Sequence, residues 1–128
     1  DVEIGATAEL LSGPPMGEIA ILCRWRGLED FTALGVRGDG AVGIWQVQSG
    51  ATTWRMEWTE ARGLEVRRGE PFRMTVTCRG AELGLAINGV SAAQATDPEP
   101  RAGDVALMAG LGEPGELVVL FDELEIFP

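Results

Sequence analysis

The side chains able to do chemistry in this chain fall into three groups: carboxylates, two cysteines and a cluster of tryptophans. There is no histidine, and all ten basic residues are arginine. Without His, Ser–His and Cys–His nucleophilic pairs and His-ligated zinc are excluded. Without Lys, Schiff-base chemistry is excluded too. Any catalysis would have to run on carboxylates, as glycosidases do with two of them about 5–10 Å apart across the scissile bond. Glu57 and Glu60 are three apart, so on a strand they face opposite ways. Glu123 and Glu125 share a strand face about 7 Å apart, but no aromatic residue accompanies them there to hold a sugar ring. They read as a solvated face, and no catalytic residue is expected.

The cysteines and tryptophans carry structural or binding roles. Cys23 and Cys78 each fall on the apolar side of an alternating segment. They are either a disulfide pinning two sheets together or two buried thiols. Their shared inward parity favours the disulfide, which would contribute about 4 kcal/mol by closing a loop of about 55 residues. It would also place the chain outside the reducing cytoplasm. Trp45, Trp54 and Trp58 cluster mid-chain. Alternation puts Trp54, Met56 and Trp58 on one face and Arg55 and Glu57 on the other, and leaves the face of Trp45 open. Indoles on a sheet either fill a core or stack on a ligand, sugar rings among them. Tyrosine is absent, so Trp45, Trp54 and Trp58 are the candidate ligand-binding residues. Arg55, with Arg24 and Arg26, could flank such a groove or simply be solvated.

The elements that must position these residues are strands. Val2, Ile4, Ala6 and Ala8 alternate with Glu3, Gly5, Thr7 and Glu9. Phe72, Met74, Val76 and Cys78 alternate with Arg73, Thr75, Thr77 and Arg79. Ile19, Ile21, Cys23 and Trp25 share a face, opposite Arg24 and Arg26. A period of two with one apolar side predicts half-buried antiparallel strands. Further strands are expected over 31–37, 41–48, 52–58, 82–87, 105–109 and 117–126, making nine or ten with no helix. Turn residues punctuate them: Gly13-Pro14-Pro15, Gly38-Asp39-Gly40, Ser49-Gly50 and Arg79-Gly80. Asn88-Gly89 fits a type I′ hairpin, whose two central residues need positive φ. Residues 97–104 form a proline-containing crossover.

Length and charge bound the rest. At 128 residues and 45% hydrophobic, the chain is one globular domain, 1–128, able to bury its own core. The net charge of −10 argues against nucleic acid, which demands a basic face. It argues equally against anionic lipid surfaces. No apolar run reaches the roughly 18 residues needed to span a bilayer, so no membrane insertion is expected. Acids dominate from Asp97 onward, where Glu113, Asp122, Glu123 and Glu125 face Arg101 alone. Arginines dominate 55–79, with Arg62, Arg67, Arg68, Arg73 and Arg79 joining Arg55. Opposed patches of this kind could steer self-association.

Six segments in order resemble the concanavalin A-like lectin/glucanase superfamily, in particular laminin G-like and 3-keto-disaccharide hydrolase-type jelly-roll modules. They are Gly17–Arg24, Phe31–Leu34 before the Gly38-Asp39-Gly40 turn, Phe72–Gly80, Leu83–Val90, Gly103–Leu107 and Phe121–Leu124, and they cover nearly the whole chain. The resemblance implies an all-β, two-sheet antiparallel jelly-roll sandwich. The Glu-x-Asp-x-Glu strand motif of the superfamily's retaining glucanases is missing. Asp122, with Glu123 beside it, lies where related jelly rolls place a structural calcium ligand; no other cofactor is implied. The expectation is a non-catalytic extracellular or cell-surface module that binds a carbohydrate or protein ligand through one sheet face. The alternatives are a structural subunit of a surface assembly and a glycoside-cleaving enzyme.

Overall fold

A computed structural model describes residues 1–61, 63–111 and 115–128. Ten strands follow one another: β1 (Val2–Ser12), β2 (Glu18–Gly27), β3 (Asp30–Arg37), β4 (Ala41–Gln48), β5 (Ala51–Glu60), β6 (Phe72–Arg79), β7 (Glu82–Ile87), β8 (Val90–Thr96), β9 (Asp104–Gly110) and β10 (Val118–Phe127). They pair antiparallel into two five-stranded sheets, a first in the order β10-β1-β6-β7-β8 and a second in the order β5-β4-β3-β2-β9. The two meanders, β2 to β5 and β6 to β8, are joined by tight turns. Asn88 and Gly89 have φ of 51° and 82°, and Ser49 and Gly50 have 51° and 79°, as two-residue primed turns require.

The alternation becomes the core. Ile4, Ala6 and Ala8 of β1 and Met74, Val76 and Cys78 of β6 meet Ile19, Ile21 and Cys23 of β2, Leu34 and Val36 of β3, and Val42 and Ile44 of β4, all buried. Removing this surface from water is the main force holding the sheets face to face. A disulfide between Cys23 and Cys78 ties β2 to β6 across that core, spanning 55 residues of sequence.

Bulges in β2 and β5 overturn the expected facing of several side chains. In β2, Arg24 takes φ 53° and the register breaks between Leu22 and Trp25. A strand that gains one residue swaps the faces of all that follow. Trp25 therefore leaves the core face and packs on Phe31 with ring centroids 5.6 Å apart. Arg24, expected in solvent, is 9% exposed. It pairs with buried Asp97 at 2.8 Å and donates to the Gly80 carbonyl. In β5, Trp54 pairs with Trp45 while Met56 pairs with Ile44, leaving Arg55 as the extra residue. A second extra residue between Met56 and Thr59, opposite Val42 and Ile44, restores the facing, so Trp54 and Trp58 lie outside while Met56 packs against the core. Arg55 turns the other way, its Nε donating to Gln46 Oε1 at 2.6 Å; it does not flank the indoles.

Candidate functional site

The outward face of the second sheet carries its own apolar cluster. Ala20 and Leu22 of β2, Ala33 of β3 and Trp45 of β4 point away from the core between the sheets yet are buried. Trp25, Phe31, Val47, Trp58, Ala106 and Met108 cover them. Successive cross-strand rows run Ala106–Leu22–Ala33–Trp45–Trp54 and Met108–Ala20–Gly35–Gly43, with Trp58 beside Gly43. The apolar band therefore crosses all five strands.

Two glycines let the indoles lie down. A Cβ on Gly35 would sit 3.3 Å from the Trp45 ring, and one on Gly43 would sit 3.1 Å from the Trp58 ring. Glycine inside a strand often marks such a close approach. Trp45, Trp54 and Trp58 then pack on one another, with centroids 5.3–5.9 Å apart and tilted or edge-on planes. These are favourable aromatic geometries. Trp45 is 7% exposed and forms the base, Trp58 is half-buried, and Trp54 is 39% exposed.

Charge borders this band. The next row aligns Glu18, Arg37, Ala41 and Glu60. The Arg37 guanidinium lies 5.2 Å from the centroid of Trp58, within cation–π range. The same group donates from Nε and Nη2 to the Asp39 carboxylate at 2.9 and 2.8 Å. That hydrogen bond holds Asp39 below the usual carboxylate range and raises Arg37. Burial pushes Glu18 up, partly opposed by the charge of Arg37. Glu18 and Glu60 stand on β2 and β5, three strand spacings or about 14 Å apart, beyond the reach of a glycosidase pair.

The other candidates sit elsewhere. Asp122 lies across from Thr7 on the edge strand β10, and its Oδ1 accepts the Glu123 N–H. No cluster of three or more potential metal ligands occurs among the described residues, so nothing in the geometry supports calcium at Asp122. Glu123 and Glu125 anchor β10 instead: Arg73 donates to the Glu123 carbonyl at 2.6 Å and pairs with the Glu125 carboxylate at 3.0 Å. The arginines of 55–79 are largely spent within the chain, Arg67 on Glu65, Arg68 on the Gly13 carbonyl and Arg79 on the Pro128 carbonyl. Arg62 and Glu113 lie outside the described residues. Sequence reasoning missed Trp25, Phe31, Met108, Glu18 and Arg37 as parts of one surface. The glycines at 35 and 43, each interrupting an apolar strand, were the available signal.

No protein-family model matches the sequence, and no curated protein matches it. Solved structures do. The carbohydrate-binding module CBM66 from Bacillus subtilis superposes with a TM-score of 0.73 at 10% identity, over 98% of this chain and 74% of that one. Sheep galectin-11 in complex with glycerol gives 0.72 at 15% identity, over 98% and 89%. The GH43 BlXynB protein from Bacillus licheniformis gives 0.69 at 13% identity, over 98% of this chain and 27% of that one. At these identities the likeness is one of fold: the chain is a two-sheet antiparallel jelly-roll sandwich.

Proposed function

We propose that this chain is a non-catalytic, extracytoplasmic carbohydrate-binding module that takes its ligand on the outward face of the second sheet. The observation that carries this reading is the indole platform, with Trp54 exposed, Trp58 half-buried and Trp45 bracing both. Aromatic rings in this setting offer a flat apolar surface with a polar rim, the complement of a sugar ring's C–H face. Neighbours of the same fold described as a carbohydrate-binding module and as galectins support it. The separation of about 14 Å between Glu18 and Glu60 at the border, too wide for a glycosidase pair, supports a binding over a hydrolytic role. The disulfide supports a place outside the reducing cytoplasm, extracellular or at a cell surface. Residues 1–128 act in this reading as one domain.

A second reading, a structural part of a surface assembly, is favoured by one observation. Leu120, Leu124, Ile126 and Phe127 on the edge strand β10 are each about half exposed, and apolar edges invite pairing. A glycan array run beside light scattering separates the two. The carbohydrate reading expects a monomer that captures glycans and loses them in Trp54→Ala. An oligomer that captures none, with an assembly that dissolves when Leu124 and Ile126 are made polar, gives the scaffold reading the lead.

A further inference from the structure

We infer that the ligand of this face is an internal run of a neutral polysaccharide with flat, all-equatorial pyranose units, laid across the strands. A free monosaccharide and a chain end are both disfavoured. The inference rests on the carbohydrate reading above and goes further, to the class of ligand.

The first support is shape. Three concavities stand out among the described residues. One of about 470 Å³ lies along β7 and β8 at Glu82 and Gln94, and one of about 420 Å³ lies between Glu60, Leu64 and Val90. The third, of about 10 Å³, lies at the Arg24–Asp97 pair. None has a tryptophan in its wall. Sites for small ligands gain their affinity by enclosure, burying most of the ligand surface. A platform touches only one side of each sugar, so its affinity must be gathered over several units.

The second support is extent. The apolar band runs from Ala106 and Met108 on β9 to Trp54 and Trp58 on β5. Four inter-strand gaps make that about 19 Å, the length of several sugar units rather than one. Stacking over such a width favours a chain of all-equatorial units, which offer a flat C–H face on either side, whereas an axial hydroxyl blocks one of the two faces.

The third support is charge. The two central rows carry no ionised side chain; Glu18, Arg37 and Glu60 lie along one border, and Asp104 stands across from Trp25 at the other. Arg37 lies over the Trp58 ring, and its Nε and Nη2 donors are already engaged by Asp39. With no uncommitted cation seen at the platform among the described residues and a net charge of −10, a uronate or sulfate polymer would be repelled.

Calorimetric titration of the intact chain with cello-, chito- and xylo-oligosaccharides, from monomer to hexamer, tests this, each series with free and chemically blocked ends. The expected result is no measurable binding of monomers and a gain of at least about tenfold in affinity from dimer to hexamer in one series. Blocking the ends should change nothing, and Trp54→Ala should lower hexamer affinity about fivefold or more with an unchanged melting curve. A monomer bound as tightly as the hexamer, or binding abolished by end blocking, overturns the inference and leaves the carbohydrate reading standing. So does silence in all three series with capture of other sugars, charged ones included, on a glycan array. Silence on both overturns the carbohydrate reading itself.

Discussion

The two outward faces of the sandwich solve the same problem with opposite chemistry. On both, long side chains lie across glycines of a neighbouring strand. On the first sheet the side chain is Arg73, resting on Gly5 and ending on Thr7, the Glu123 carbonyl and the Glu125 carboxylate. Its surroundings are polar, with Thr75 and Thr77 on the same face. On the second sheet the side chains are Trp45 over Gly35 and Trp58 over Gly43, among Phe31, Trp25 and Met108. A two-layer sandwich needs only its inward faces to be apolar, and the first sheet around Arg73 has a polar exterior, its exposed apolar side chains Leu120, Leu124, Ile126 and Phe127 lying on the edge strand β10. The apolar paving of the second is therefore a feature the fold does not demand, and a functional surface explains it.

The sharpest way to break this comparison is to remove one covering side chain from each face. Trp45→Ala takes out a nearly buried indole on which Trp54 and Trp58 both rest, and should cost about 3–5 kcal/mol. Arg73→Ala removes a partly exposed ion pair and should cost about 1 kcal/mol or less. Chemical denaturation of both variants measures the contrast. A loss under about 1 kcal/mol for Trp45→Ala would mean that the indole cluster is not a packed unit.

The glycines sharpen it next. A Cβ at Gly35 would stand 2.9 Å from the Ile19 carbonyl oxygen and 3.0 Å from Ala20 Cβ, with the Trp45 ring at 3.3 Å. Backbone cannot yield, so Gly35→Ala should cost about 1–3 kcal/mol. At Gly5 only the guanidinium end of Arg73 stands in the way, and that end can swing into water. Gly5→Ala should therefore be the milder change in the same thermal melts. Equal losses would show that the two faces are equally rigid.

Trp54→Ala gives a smaller effect on stability and a larger one on binding. At 39% exposure on an edge strand, Trp54 should cost under about 1 kcal/mol on removal. Glycan affinity should fall by about 1 kcal/mol or more. A collapse of the fold instead would place Trp54 with Trp45 as structure.

The sandwich was legible because its strands alternate cleanly wherever the register is unbroken, as over Phe72–Cys78, where burial follows every second residue. The turns were legible because Asn88-Gly89 supplies the positive φ a two-residue hairpin needs. The platform was only half legible, for a physical reason. Its facing depends on the bulges at Arg24 and Arg55 and on a second shift between Met56 and Thr59, and none of them carries the glycine or asparagine that marks positive φ or a broken register from sequence. Counting through them put Trp25 in the core and Met56 with the indoles, the reverse of their positions. The buried partner of Arg24 was hidden as well, since Asp97 is 73 residues away in a crossover whose path alternation does not specify.

The smallest effect lies at the border of the platform, where two carboxylates have been moved in opposite directions. Asp39 is held low by its hydrogen bond to Arg37, so its contribution is present above the ordinary Asp range and is lost as pH falls through its depressed value. Glu18 is held high because burial outweighs the attraction of Arg37. A raised carboxyl favours the folded state while protonated and opposes it once pH rises through the folded value. Glu18→Gln keeps the shape and removes the charge. At neutral pH it should raise the melting temperature slightly, by a few tenths of a kcal/mol, since the site is partly open to solvent. Well below the ordinary Glu range the Glu18 carboxyl is neutral in the folded and the unfolded chain alike, and the two melting curves should converge. A variant less stable than the parent at neutral pH would show instead that Glu18 is held in place by Arg37. The polar border would then be a working ion pair, and the contrast between the two outward faces would be weaker at that end of the sheet.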